Sequence, residues 1–185
     1  MIRILHVIDS LDLGGAQTAL LNLLRYADRA EFSHEVAAMH GRGMFAGAFE
    51  AVGVPVHSLS AHRWPPGYLR ALPALLRRGR FDVVHCHLFG ANWIAKPLAF
   101  AAGARCLYHH DQCNDAFRFN SPAAIFVDAL TNQLSTRVLA VSRSVERFNL
   151  DVEGIAPEKV AYLPNSVDLA EFCPASAEAR RAGTG

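Results

Sequence analysis

MIRILHVIDSLDLGGAQTALLNLLRY, residues 1–26, contains the unit that decides the fold. Ile2–Ile8 is a β-branched apolar run that stops at Asp9, as a buried strand does. A loop carrying Gly14-Gly15 follows. Ala16–Tyr26 then places Leu20, Leu21, Leu23 and Leu24 at helical spacing. A strand, a glycine loop and a helix in that order begin a β-α-β unit.

The alternation continues outward. Glu35–Met39, Pro55–Leu59, Phe81–His85, Arg105–His109, Arg137–Val141 and Val160–Leu163 read as strands. Phe45–Val52, Gly67–Arg78, Asn92–Ala102 and Pro122–Leu134 read as helices, as does the segment from Ser142 to Leu150. Pro122 suits a first helical turn and Ser142 can cap a helix. Apolar strands alternating with helices require a parallel sheet covered on both faces. The expected fold class is α/β, a Rossmann-like doubly wound sheet of about seven strands in the order 3-2-1-4-5-6-7. Residues 1–172 are expected to form one domain. Residues 173–185, rich in Ala, Ser and Arg, read as a truncated interdomain linker or disordered tail.

Composition narrows the function classes. Hydrophobic residues make up 51% and charged residues 19% of the 185 positions, which suits a globular domain and excludes a disordered one. A net charge of +1 gives no field for nucleic acid. Cys86, Cys106, Cys113 and Cys173 form no C-x-x-C pair, so free thiols are expected. The opening run is too short and too charged for a signal peptide. Trp93–Ala102, interrupted by Lys96 and Pro97, is too short to span a bilayer. The expected location is the cytoplasm, at the inner face of the membrane where an acceptor is lipid-linked. The Gly67–Arg78 helix carries Arg70, Arg77 and Arg78, with Trp64 and Tyr68 nearby. That composition fits a peripheral membrane contact, but a helix covering the sheet with a charged outer face explains it more simply.

In a doubly wound sheet, ligands sit at the carboxyl ends of the strands. Gly14 and Gly15 precede a helix N-terminus, where free N–H groups suit a diphosphate. A tight turn without ligand is the alternative. No G-x-G-x-x-G is present, which counts against a nicotinamide or flavin enzyme. His85 and His87 share a strand face by alternation. His109 and His110 face opposite ways, so at most one faces a cleft, with Asp111 beside it. A divalent metal on His85, His87 and His110 would indicate a metal-dependent hydrolase, but the spacing matches no common zinc pattern. No metal is expected.

The segments HVIDSLDLGGAQTALLNLL, FDVVHCHLFGAN, RVLAVSRSVERF and GIAPEKVAYLPNSVDLAEF occur in this order. Together they resemble the N-terminal domain of family 4 glycosyltransferases, which have the two-domain GT-B architecture, over roughly residues 1–174. The resemblance implies that this half binds mainly the acceptor and that a C-terminal domain binds the nucleotide-sugar donor. It implies retaining transfer of a sugar from a nucleotide-diphosphate sugar to a hydroxyl acceptor, in glycolipid or polysaccharide synthesis, without metal. It places His110 beside the transferred sugar as the catalytic residue. Gly14, Gly15, Ala16, Gln17, His87, Asp111, Ser142 and Asn165 become the expected substrate-binding positions. Ser166 stands where the family usually has glycine, which predicts a strained turn. The alternative is a non-catalytic binding domain, or a half-enzyme that needs a separate donor-domain subunit.

Overall fold

The computed structural model describes residues 1–60, 67–112 and 121–169. Trp64, Cys113, Cys173 and the 173–185 linker lie outside the described residues. The sheet has seven strands in the order β3-β2-β1-β4-β5-β6-β7, all paired in parallel. In chain order the elements are β1 (Ile2–Ile8), α1 (Gly15–Arg25), β2 (Phe32–Ala38), α2 (Ala46–Ala51), β3 (Val56–Ser58) and α3 (Gly67–Gly79). Next come β4 (Val83–His87), α4 (Leu88–Gly90), a π-helical segment (Ala91–Ala95), α5 (Lys96–Ala101) and β5 (Leu107–Asp111). The chain closes with α6 (Pro122–Gln133), β6 (Arg137–Ala140), α7 (Arg143–Asp151), a 3-10 turn (Pro157–Lys159) and β7 (Val160–Tyr162). Among the described residues no helix is long and apolar enough to cross a membrane.

Alternation along the strands divides the core between two faces. Leu5, Val7, Ala37, Val84, Cys86 and Leu107 pack with Tyr68, Leu72 and Leu75 of α3 and with Ala95 and Ala99. Ile8, Val36 and Ala38 pack on the other face with Leu20, Leu21 and Leu24 of α1 and Phe49 of α2. Tyr68 is buried, while Arg70, Arg77 and Arg78 point outward. Helix α3 is therefore a sheet-covering helix with a charged outer side. Cys86 and Cys106 are free thiols.

Three expectations are corrected. Strands β4 and β5 run two residues further toward their carboxyl ends than their apolar content predicts. His87 and His110 thus lie inside strands, where the ladder pairs Ile8 with His87 and His87 with His110. Parallel pairing on both sides outweighs the polar character that reads locally as loop. The stretch between the strand expected to end at His85 and the helix expected from Asn92 holds no loop either, because helix begins at Leu88. Asp9, at the end of β1, accepts hydrogen bonds from the N–H groups of Gly90 (3.0 Å) and Ala91 (2.6 Å). That cap comes from 81 residues away, so local sequence does not show it. Finally, Ser166 is not strained: among the described residues only Arg80 and Leu88 are non-glycines with positive φ. The Ser142 cap forms as expected, its hydroxyl accepting from the Val145 N–H at 3.2 Å.

Candidate functional site

Strain concentrates where β4 becomes helix. Leu88 has φ +68°, uncommon for a branched residue, and the π-helical turn Ala91–Ala95 follows directly. Both features collect at functional sites. The Asp9 carboxylate holds this corner, and a Cβ on Gly90 would lie 2.7 Å from it. Burial raises the Asp9 pKa above the ordinary carboxylate range, although its two backbone bonds oppose the shift.

Beside this corner lies a pocket of about 110 Å³. It is lined by His87 and His110 at the strand ends, by Ala19, Leu20 and Leu23 of α1, and by Gln112 with Leu163–Ser166. Of the expected site residues, His87, His110 and Asn165 are brought together here. Asn165 donates from its amide to Gln112 Oε1 at 3.0 Å. Gln112 carries no chemical signature in the sequence beyond its place after a strand, and the apolar wall from α1 reads there as plain core.

The other expected residues lie outside this lining. Gly14 and Gly15 stand at the α1 N-terminus, with Gly14 extended (φ −176°) and no side-chain cap. A Cβ on Gly15 would meet nothing within 4 Å among the described residues. The half-buried Ala16 follows on the same turn. Gln17 is buried and donates to the Ser10 carbonyl at 3.0 Å, bracing the loop. Ser142 uses its hydroxyl on the α7 cap. Asp111 does not share a face with His110: with its amide oriented to satisfy both groups, Asn149 donates to Asp111 Oδ2 at 3.0 Å.

His109 joins Asp111 on that far face, in a buried polar network. Its Nδ1 meets Asn132 Oδ1 at 3.1 Å. Lys96 donates to the same oxygen (2.7 Å) and to Ser135 Oγ (2.8 Å). Asn132 in turn donates to Glu153 at 2.9 Å. Asn92 and the Trp93 ring N–H both donate to Asp128. Lys96 is fully buried, and burial pushes its pKa down to about 7. The network ties the helix after β4 to α6 and marks His109 as a packing residue.

His110 sits differently. Its Nε2–H donates to the Leu163 carbonyl at 3.4 Å, because a carbonyl can only accept. The ring is then a neutral tautomer with Nδ1 as a bare acceptor. Burial pushes its pKa down to about 4, with the Leu163 bond opposing. His87 does not bond a neighbouring loop, the ordinary role for a polar strand end. Its Nε2 lies 3.1 Å from His6 Nδ1 of β1, and His6 Nε2 lies 3.0 Å from His34 Nδ1 of β2. The His85 and His87 ring centroids lie 4.1 Å apart with the rings tilted, and the His110 ring lies 5.8 Å from both, stacked on His85. Five imidazoles from four adjacent strands share this face. Burial holds His6 down to about 3 and His85 and His87 well below their ordinary value.

Comparison with known proteins gives this arrangement a relationship. The profile of Glycosyltransferase Family 4 matches residues 13–171. The chain is similar to the capsular polysaccharide biosynthesis glycosyltransferase CapH of Staphylococcus aureus, at 25% identity over 93% of this chain and 49% of that protein. It is also similar to the UDP-Gal:alpha-D-GlcNAc-diphosphoundecaprenol alpha-1,3-galactosyltransferase of Escherichia coli, at 24% identity over 58% of this chain and 29% of that protein. Its fold matches Anabaena Alr3699/HepE, solved in complex with UDP-glucose, with a TM-score of 0.76 and 19% identity over 99% of this chain and 50% of that one. The chain thus spans about half the length of CapH, and its sheet is one half of a GT-B fold. With the profile matched from the glycine loop through the last strand, the chain belongs to Glycosyltransferase Family 4 as an N-terminal domain.

Proposed function

We propose that the full-length protein transfers a sugar from a nucleotide-diphosphate sugar to a hydroxyl acceptor, with retention at the anomeric carbon, and that this chain is the acceptor-side half. The observation that carries the reading is the pocket at the carboxyl ends of β4 and β5, where a neutral His110 ring stands with its Nδ1 lone pair unused among the described residues. That lone pair accepts a hydrogen bond from a hydroxyl of the transferred sugar. The ring orients the sugar and is not the main base. The amides of Asn165 and Gln112 add donors and acceptors for sugar hydroxyls. The space beside Gly15, and the backbone N–H groups of the first turn of α1, are left for a diphosphate or acceptor.

Charge fits a donor site completed by a second domain. A departing diphosphate is multiply anionic, and stabilising it is the main electrostatic demand of the reaction. None of the described residues lining the pocket is Lys or Arg. In this reading the cations come from the donor domain and the transfer uses no metal. The similar E. coli protein is named for a diphosphoundecaprenol substrate, which supports a lipid-linked acceptor and a place at the cytoplasmic membrane face.

The isolated chain is therefore expected to bind uridine or guanosine diphosphate sugars no more tightly than about millimolar. Calorimetric titration of the 185-residue chain tests this directly. Micromolar or tighter binding would place the nucleotide site in this half and overturn the assignment.

A further inference from the structure

We propose that His6, His85 and His87 form a binding site for one divalent transition-metal ion of the zinc class. One ring nitrogen from each residue lies within 4.8 Å of the other two, and all three side chains are buried. Strand geometry creates the convergence. His6 and His85 are paired neighbours on β1 and β4, and His87 follows His85 by two residues, so all three rings leave the same face.

A second observation points to a ligand. His85 Nε2 and His87 Nδ1 are buried and have no hydrogen-bond partner. Rearranging tautomers does not cure this. In the chain His34–His6–His87, each contact uses one proton and one lone pair. Whichever way the protons run, one nitrogen at each end is left over, and His85 Nε2 stays outside the chain. A shared cation uses ring lone pairs directly, in place of the His6–His87 contact. His34 then plays the part that outer partners play at metal sites, since its Nδ1 contacts His6 Nε2 and fixes the ring so that His6 Nδ1 faces inward.

The donor set selects the ion. Three imidazoles without carboxylate or thiolate suit zinc, copper, nickel or cobalt, and exclude magnesium and calcium, which take oxygen ligands. Three protein ligands leave a fourth position for water. The site can be reached: a groove of about 440 Å³ on this sheet face is lined by His6, His34 and His85 among apolar residues. The ion would bridge β1 to β4 as a structural clamp. The glycosyl-transfer reading itself needs no metal, and the two readings share only His87, which also lines the sugar pocket.

The test uses the chain stripped with EDTA and titrated with Zn2+ by calorimetry and with Co2+ by visible absorption. The expected result is one equivalent bound at about micromolar or tighter. The melting temperature should rise by about 5–10 °C at hundredfold excess over Kd. His85→Gln and His87→Gln should each weaken binding by about 100-fold or more. His57→Gln, whose half-buried ring pairs with Glu35 instead, should bind as the parent does. Nitrogen-15 spectra of the unaltered chain read the site even where a variant fails to fold: Zn2+ should shift the ring signals of His6, His85 and His87. No binding up to about millimolar ion, undiminished binding by His85→Gln, or shifts confined to other histidines would overturn the proposal.

Discussion

His110→Ala in the full-length enzyme should lower turnover by about 10²-fold or more, the range typical of positioned acid–base or hydrogen-bonding groups. The ring lies in the pocket with its Nε2–H held by the Leu163 carbonyl, so Nδ1 is the atom a sugar hydroxyl would meet. Removing the ring removes that acceptor and loosens the transferred sugar as it gains positive character. The variant should still fold. The side chain is buried against His85 and His87, so truncation costs about 1–3 kcal/mol of stability, which a domain of this size survives. Turnover per folded molecule, measured with melting temperature on one preparation, separates the two roles. Near-normal turnover with a large fall in melting temperature would make His110 a packing residue. His87 would then be the next position to test, because His109 faces the Lys96 network on the other side of the sheet.

Acid should unfold the protein well before its carboxylates are protonated. Burial lowers the pKa of His6 to about 3 and of His110 to about 4, and puts His85 and His87 well below the usual histidine range. In the unfolded chain all four titrate near 6.5. Below that pH the unfolded state binds protons that the folded state refuses, so stability falls as pH falls. The contribution is complete above about pH 6.5 and is lost progressively toward the folded pKa values. Each ring removes up to about 1.4 kcal/mol per pH unit. All four rings act in the same direction, so stability should fall steeply as pH drops below about 6.5. Lys96 acts in the same direction at higher pH. Burial holds its folded pKa at about 7, well below the ordinary lysine value, so stability keeps rising as pH increases above neutrality. Urea midpoints between pH 4.5 and 9 check this, and a midpoint that stays level from pH 7 to pH 5 would contradict it.

The architecture was readable because its signals are local. Ile2–Ile8 is a strand with the bounds its apolar run predicts. Ser142 caps α7 through its own hydroxyl, and Pro122 opens α6. Strand order follows from chirality and short connections. The site was only partly readable. His110 and His87 are singled out by the rule that strand ends carry function, whereas Asn165 is expected only from the family resemblance. His6 reads as the interior of a buried strand, and His34 precedes the strand expected at Glu35–Met39. The contacts of His6 with His87 and of His34 with His6 depend on the registers of β1 with β4 and β2, which local pattern does not encode. Lys96 reads as a break in an apolar stretch, and its partners, Asn132 at the end of α6 and Ser135 just after it, lie 36 and 39 residues later, in a packing that only tertiary structure reveals. The Asp9 cap on Gly90 and Ala91 is non-local in the same way.

Retention is the property most directly tied to the central assignment. The full-length enzyme, given a uridine or guanosine diphosphate sugar and a lipid-linked hydroxyl acceptor, should form a glycoside whose anomeric proton coupling in early NMR spectra matches that of the donor. A product of inverted configuration, or no transfer with either nucleotide, would contradict the assignment.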